Sequence, residues 1–303
     1  MNTLRTPEDR FVATTAAFPY APRYVEVSDS DGGALRVATY QAGPGEGSAI
    51  LLLHGEPSWS YLYRHVMARL AERGLHSVAV DLVGFGRSDK PAEVADHSYA
   101  RHVAWVREAV ADRLGLTGVT LVGQDWGGLI GLRLATENPG LVDRIVAANT
   151  GLPTGDQAMP EVWLRFREAV RTAPELDVGR FVGSGCKAGL SDADRAAYDA
   201  PFPDEASKAG PRAMPGLVPT TPDDPASEAN RTAWQRLTAW DRPFLVAFSD
   251  GDPITGAMAG ILRSVVPAAA AEPEITLTGG HFLQEDCGLE LADAIADFVQ
   301  RHA

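Results

Sequence analysis

The sequence predicts an α/β protein: a mostly parallel, eight-stranded sheet with helices on both faces and a helical cap inserted after the strand ending near Asn149. Three observations carry that prediction. Short β-branched or continuously apolar runs alternate with amphipathic helical patterns, as a parallel sheet covered on both faces requires. The alternation stops between about Pro153 and Glu228, where Pro160, Pro174, Pro201, Pro203, Pro211, Pro215, Pro219, Pro222 and Pro225 cut short helical patterns and no strand is legible. Finally, the run Val119-Thr120-Leu121-Val122-Gly123 ends in one sharp polar turn before a helical stretch from Leu129 to Ala135, which stops ahead of Pro139. Residues 1–152 and 229–303 are thus expected to build one core, and 153–228 the cap.

Taken in order, Arg23 to Val27 and Leu35 to Gln41 read as two strands joined by the turn Asp29-Ser30-Asp31-Gly32-Gly33. Ala49 to Leu53 is a short apolar strand ending in His54-Gly55-Glu56-Pro57. A helix follows from Ser60, with Leu62, Val66 and Leu70 on one face, and closes at Gly74. His76 to Val80 is the next strand. The loop after it, Asp81 to Asp89, contains Gly84-Phe85-Gly86 without a third glycine, which excludes a dinucleotide site. Ser98 to Leu114 reads as a helix with Val103, Val106, Val110 and Leu114 inward. Arg144 to Ala148 is a strand that ends at Asn149. Beyond the cap come a helix through Trp234 to Trp240, a strand from Phe244 to Phe248 and a helix from about Met258. A last strand, Glu274 to Leu277, precedes a closing helix, Leu289 to Val299.

At 303 residues, 45% hydrophobic and 22% charged, the chain has ample material for one large core. No apolar run approaches the ~20 residues needed to span a bilayer. A net charge of -13 weighs against nucleic-acid or anionic-membrane partners. Cys186 and Cys287 are too few for a disulfide framework and lack metal-ligand spacing, so no metal or other cofactor is expected. The segment Met1 to Arg10 has no apolar h-region; no secretory signal is expected, and the cytoplasm is the expected compartment. No interface pattern stands out, and a monomer is expected.

The stretch Gly123-Gln124-Asp125-Trp126-Gly127-Gly128 has the setting of a nucleophile elbow, whose tip residue is usually Ser in Gly-x-Ser-x-Gly. Here the tip is Asp125. A serine must lose a proton to attack, whereas a carboxylate is an anion at neutral pH, and the positive end of the following helix favours that charge. Carboxylates are poor acyl-transfer nucleophiles but displace leaving groups from saturated carbon. That step leaves an ester on the enzyme for water to hydrolyse. An Asp capping the following helix would read the same way, and the turn alone does not decide between the two.

Further along, the chain supplies partners in the order nucleophile, acid, base found in α/β-hydrolases. His281, in Thr278-Gly279-Gly280-His281-Phe282, lies just past the last strand, while the other histidines fall in helices, near strand ends or at the terminus. The acid is expected after the preceding strand, in Ser249-Asp250-Gly251-Asp252-Pro253-Ile254. Asp252 lies deeper in that loop, directly before Pro253, and Asp250 reads as a cap or turn residue. Asn149 cannot supply a carboxylate after the earlier strand, which strengthens Asp252.

With these residues in place, the chain resembles a haloalkane dehalogenase of the α/β-hydrolase superfamily, in the subfamily whose acid follows the penultimate strand. The resemblance runs nearly end to end. It rests on His54-Gly55-Glu56-Pro57-Ser58-Trp59-Ser60-Tyr61-Leu62-Tyr63-Arg64, Gly84-Phe85-Gly86-Arg87-Ser88-Asp89-Lys90-Pro91, Gly123-Gln124-Asp125-Trp126-Gly127-Gly128, Tyr198-Asp199-Ala200-Pro201-Phe202-Pro203-Asp204 and Gly280-His281-Phe282. It implies hydrolysis of haloalkanes to a primary alcohol, halide and a proton through a covalent alkyl-Asp125 ester, with His281 oriented by Asp252 as the base. It also implies Trp126 as one halide-binding residue and a cap tryptophan as the second, which position assigns to Trp163. Indole N–H is a donor carried on an apolar body and suits a halide beside hydrocarbon. The ester-hydrolysis oxyanion is expected to meet the backbone N–H groups of Glu56 and Trp126, and the Glu56 side chain to help position the water. Trp59, Trp105, Trp234 and Trp240 read as packing residues, and Phe166, Phe202, Leu217 and Val218 as candidates to line an apolar pocket. Three alternatives remain. An epoxide hydrolase with the same nucleophile would need cap tyrosines as proton donors, and the cap holds only Tyr198. A fluoroacetate-type dehalogenase would need a pair of arginines, and only Arg133 lies near the elbow. The third is a non-catalytic ligand receptor of the same fold.

Overall fold

The computed structural model describes residues 1–29, 32–45 and 47–303. The turn expected at 29–33 has Ser30 and Asp31 outside the described residues. Eight strands form one sheet: β1 (Arg23–Ser28), β2 (Ala34–Ala42), β3 (Ile50–Leu53), β4 (Ser77–Val80), β5 (Val119–Gln124), β6 (Val142–Ala148), β7 (Phe244–Ser249) and β8 (Ile275–Leu277). Their order in space is β8-β7-β6-β5-β3-β4-β2-β1. Pairing is antiparallel between β1 and β2 and between β2 and β4, and parallel elsewhere. Every residue of β3, β4, β5 and β7 is buried, which is why these runs are continuously apolar rather than alternating. At the edge of the sheet, β1 is mostly exposed or half-buried.

The helices, in chain order, are α1 (Arg64–Glu72), α2 (Tyr99–Arg107), α3 (Trp126–Glu137), α4 (Glu161–Thr172), α5 (Val178–Ser184), α6 (Asp192–Asp199), α7 (Ala209–Leu217), α8 (Ser227–Leu237), α9 (Met258–Val265), α10 (Pro267–Ala271) and α11 (Leu283–Arg301). They cover both faces of the sheet: α1 packs on α11, and α3 packs against α2 and α8. The span 153–228 holds α4 to α7 and no strand, with α4 packed on α7 and α5 on α6. Buried side chains of that span, among them Trp163, Tyr198 and Met214, continue the core that begins in the sheet. No helix among the described residues is long and apolar enough to cross a membrane.

Sheet order positions the site. From β3 the chain passes through α1 to β4 on one side, then crosses to β5 on the other side of β3. The loops leaving the carboxyl ends of β3 and β5 diverge at this switch point and open a crevice, the usual place for a ligand in such sheets. Glu56 and Asp125 stand on those two loops.

Local pattern and structure differ where side chains are claimed by distant partners. The helix read over Trp234 to Trp240 is α8, which begins at Ser227 and ends at Leu237, leaving Trp240 outside. The closing helix read over Leu289 to Val299 is the middle of α11, which begins at Leu283 and is kinked at Cys287. Its first turn is polar in sequence because Glu285 faces inward to a charge. Arg64 grips Glu285 through Nη1 at 2.5 Å and Nη2 at 2.7 Å, with both side chains buried. The Tyr198 hydroxyl of α6 donates to the same carboxylate, and Arg64 Nη2 also reaches Asp194 at 3.0 Å. One cation thereby joins α1, α6 and α11. A two-residue ladder between Thr3–Leu4 and Lys90–Pro91 was also illegible, being too short to carry a period.

Removing one partner of a buried pair strands the other charge, at a cost of about 3–5 kcal/mol. Arg64→Leu is therefore expected to lower the free energy of unfolding by that amount in a urea titration, far more than Arg107→Leu, whose partner Asp112 is exposed.

Candidate active site

The strand β5 runs into α3 through a single residue, Asp125, at φ 50° and ψ −124°. The conformation is strained for a side chain that has a Cβ, and the glycines around it make it attainable. A Cβ on Gly127 would stand 1.9 Å from the Leu53 carbonyl oxygen of β3, and one on Gly123 would stand 2.6 Å from Gly128 Cα. Only hydrogen atoms fit there, so the elbow can press against β3. The Asp125 backbone is fully engaged. Its N–H donates to Asn149 O at 3.0 Å, and its carbonyl accepts from Gly128 N, Leu129 N and Thr150 Oγ1.

The carboxylate, by contrast, makes no capping hydrogen bond to α3. This separates the two readings of the residue: Asp125 stands at the helix N-cap but does not cap. Instead Oδ1 accepts from the Glu56 N–H at 2.9 Å and Oδ2 lies 3.5 Å from His281 Nε2. Among the described residues no hydrogen bond from the Trp126 N–H to this carboxylate accompanies that of Glu56.

On its other edge, His281 Nδ1 lies 3.1 Å from Asp252 Oδ1. Asp252 also accepts from the Ile254 N–H at 2.9 Å and from the Thr255 hydroxyl. Asp250 turns outward to Lys187 Nζ at 3.4 Å and accepts from the Gly279 N–H. Of the two competing aspartates, the structure brings Asp252 to the imidazole. Burial would raise the Asp252 carboxyl, but the charge and hydrogen bond of His281, with the Thr255 and Ile254 donors, outweigh it and hold the group below the usual carboxylate range. Burial likewise works to lower His281, yet the charge of Asp252 and the contacts with Asp125 prevail and push it up to about 10. Glu56 is buried, and desolvation followed by the nearby Asp125 charge pushes its carboxyl well above the ordinary range, favouring the neutral acid.

Two buried amides that the sequence reading did not single out hold this arrangement. Asn149 Nδ2 reaches Ser249 Oγ at 2.8 Å, Gly280 O at 2.9 Å and His281 O at 3.0 Å, and its Oδ1 accepts from the Ser249 N–H. It ties the ends of β6 and β7 to the histidine loop. Gln124, directly before the elbow, donates to His281 O at 3.1 Å and sits 3.3 Å from His281 Nε2. Gln124 is the last residue of β5 and Asn149 follows the end of β6, but nothing local in the sequence marks their targets.

A cavity of about 770 Å³ opens over Asp125 and is lined by Glu56, Trp126, Trp163 and His281. Among the described residues neither the Trp126 nor the Trp163 indole N–H has a protein acceptor. Trp59 and Trp234 are committed, donating to Ala197 O at 3.0 Å and Leu152 O at 2.7 Å. Trp234 nonetheless lines the cavity, which its reading as a packing residue missed; Trp59, Trp105 and Trp240 do not. Phe166 and Val218 line the cavity as expected. Phe202 and Leu217 do not: Phe202 is buried edge-on against Phe85 at 6.4 Å, and Leu217 packs on the core. No tyrosine or arginine is among the cavity-lining residues. Tyr198 is buried against Glu285, and Arg133 is held by Glu137 and Asn230, so neither the tyrosines of an epoxide hydrolase nor an arginine pair lines the cavity.

The sheet order, the elbow and the Asp125–His281–Asp252 line define an enzyme of the α/β-hydrolase class, and residues 48–286 match the family described as the alpha/beta hydrolase fold. Over 300 residues the chain is 47% identical to a haloalkane dehalogenase of Psychrobacter cryohalolentis, covering 99% of this chain and 98% of that one. It is 46% identical to a haloalkane dehalogenase of Mycolicibacterium paratuberculosis, with 99% of each covered. The tetrameric haloalkane dehalogenase from Paraglaciecola agarilytica superposes with a TM-score of 0.89 at 33% identity over 97% of both chains. The chain belongs to the haloalkane dehalogenase family, hydrolases that act on carbon–halide bonds.

Because Asn149 is buried and its Oδ1 takes the Ser249 N–H, an isosteric apolar replacement strands that donor at about 1–3 kcal/mol and removes one of the ties to Gly280 O and His281 O. Asn149→Leu is expected to depress the unfolding temperature by several degrees in calorimetry. Turnover should fall even below that transition, because the His281 loop loses its anchor.

Proposed function

We propose that Asp125 displaces halide from a haloalkane and that His281 then drives hydrolysis of the resulting ester. One observation carries the reading: a carboxylate that stands at a helix N-terminus, yet is free of that helix, faces two unengaged indoles and a histidine in one largely apolar cavity. In the first step an Asp125 oxygen attacks the carbon from the side opposite the halogen. The C–O bond forms as the carbon–halogen bond breaks, and halide departs with both electrons. It is a weak base and needs donors rather than a proton, which the Trp126 and Trp163 N–H groups supply.

In the second step water attacks the ester carbonyl while His281 Nε2 takes its proton and Asp252 holds the Nδ1 side. The oxyanion on the former Asp125 carboxylate receives the Glu56 N–H already aimed at Oδ1 and, on the elbow's far side, the Trp126 N–H. The neutral Glu56 side chain borders the same space and positions the water. Collapse breaks the bond to the alkyl oxygen, the His281 imidazolium protonates the departing alkoxide to the alcohol, and the proton of the Asp125 carboxylic acid left behind returns to His281. Timing follows from charge. With both carboxylates ionised, His281 is held in its protonated form. Esterification removes the Asp125 charge and contact, part of what raises His281, so it lowers the proton affinity of the imidazole for the hydrolysis step, and the proton given up leaves to solvent. Residues 153–228 act as the cap that keeps bulk water from the first step. Every group involved comes from one chain, so a monomer suffices.

Replacing Trp126 or Trp163 with Phe removes one hydrogen bond to an anion, worth roughly 1.5–3 kcal/mol. Displacement should slow by about ten- to a hundred-fold, and halide should quench indole fluorescence with weaker affinity in each variant. Unchanged halide affinity in Trp163→Phe would assign the second donor elsewhere.

His281→Ala separates the steps. Displacement moves no proton, so the variant should release one bromide per active site and stop. Intact-mass spectrometry should then find the alkyl adduct, and peptide mapping should locate it on Asp125. A folded His281→Ala protein that neither gains mass nor releases stoichiometric bromide refutes the assignment.

A further inference from the structure

We propose that Gln124 is a positioning residue for the hydrolysis step, its side-chain N–H favouring the neutral His281 ring with the proton on Nδ1 and Nε2 left to accept. The proposal rests on His281 as the base and adds what prepares it for that role.

The orientation of the amide is the first argument. Gln124 ends β5 and is 0% exposed. Its Nε2 stands 3.1 Å from His281 O. A carbonyl oxygen can only accept, so this edge of the amide is the NH2 group. The opposite edge lies against Gly55, where a Cβ would stand 2.6 Å from Gln124 Oε1. A side chain at residue 55 would push the amide out of place.

The second argument is what the NH2 group meets. It carries two hydrogens, and the bond to His281 O uses one. The same nitrogen lies 3.3 Å from His281 Nε2. An N–H beside that atom is favourable against a lone pair and unfavourable against a second N–H, so the contact disfavours the imidazolium. Asp252 Oδ1, 3.1 Å from Nδ1, fixes the same tautomer from the other edge. The contact at Nε2 is longer than the usual hydrogen bond of about 2.9–3.0 Å. It biases the nitrogen without holding its lone pair against a water.

Third, the charges around the ring leave this task to a neutral donor. Asp252 favours the imidazolium through both steps, and Asp125, 3.5 Å from Nε2, does so until it is esterified. Glu56, on the loop after β3, is pushed toward the neutral acid. Behind the ring, Asp286 accepts the Gly280 N–H at 2.8 Å and Asp250 accepts the Gly279 N–H at 3.2 Å. Lys187 Nζ turns to Asp250 at 3.4 Å rather than to the imidazole. The Gln124 N–H is set against these carboxylates at the atom that must take the proton.

Single turnovers of 1-bromobutane by rapid quench test this, with bromide reporting displacement and butanol reporting hydrolysis across a range of pH. Hydrolysis needs neutral His281, so its rate should rise with pH to a plateau. Gln124→Met keeps the side-chain length and removes the N–H. The midpoint should then move to higher pH, and hydrolysis on the rising limb should slow about three- to tenfold. Asn149→Leu removes the other donor to His281 O, at 3.0 Å, and should lower the plateau while leaving the midpoint in place. Nitrogen-labelled unaltered protein gives a second reading by magnetic resonance: one Gln124 side-chain amide proton should shift with the titration of the His281 ring. A Gln124→Met midpoint that stays put, an Asn149→Leu midpoint that moves as far, or Gln124 amide protons indifferent to the His281 titration each overturn the proposal and leave His281 as the base. Folded His281→Ala protein that forms butanol as fast as the unaltered enzyme overturns the base reading beneath it.

Discussion

The backbone at Asp125, bent to a positive φ between β5 and α3, is the constraint on which the rest of the site depends. A residue in that conformation projects its side chain away from the helix it precedes. The carboxylate thus loses the N–H partners that an N-terminal Asp ordinarily takes and remains available for chemistry. Such strain persists only where surroundings over-determine it. Here the N–H and carbonyl of Asp125 are tied to Asn149, Gly128, Leu129 and Thr150, and Gly127 lets the turn lie against β3. Stability elsewhere, including the charge cluster that Arg64 gathers, holds the framework that keeps this turn bent.

Three carboxyl groups and one imidazole share a largely buried crevice, and their protonation is set jointly. Asp252 stays ionised because it has donors and His281 beside it. Glu56 shares the space without such donors, its Oε1 lacking a partner among the described residues, and is pushed toward the neutral acid. His281 stands between Asp252 and Asp125, and the Asp252 charge with the Asp125 contacts pushes it up to about 10. In the proposed sequence the enzyme changes its own electrostatics by becoming esterified, and the base is released by the step that creates the need for it. Serine at the elbow could not do this, being uncharged before attack.

Apolar walls make the same crevice suitable for carbon–halogen chemistry. In the proposed reaction, hydrogen bonds from the Trp126 and Trp163 indoles to a departing halide would gain strength where water is excluded, since the competing solvation is absent. In the same proposal the span 153–228 provides that exclusion with side chains such as Trp163 and Phe166, whose helix buries one face in the core that continues from the sheet.

Much of this was legible in the order of residues. Buried strands announce themselves as unbroken apolar runs because both faces are covered, and β3, β5 and β7 are where those runs stand. The elbow is local chemistry, glycines flanking one polar residue, and Asp125 and His281 follow from it and from their place after strands. Local pattern could not tell whether the Asp125 carboxylate caps its helix, since that depends on a backbone angle and on which N–H it meets. It could not assign Gln124 and Asn149, whose amides reach across more than a hundred residues to the histidine loop. It set Trp163 apart from Trp234 by position but read Trp234 as packing alone, whereas Trp234 stands on the cavity wall with its N–H committed to Leu152 O. Composition and periodicity report which side chains want to be buried. Where a buried polar atom finds its partner is a matter of how distant segments meet, and only the tertiary structure decides it.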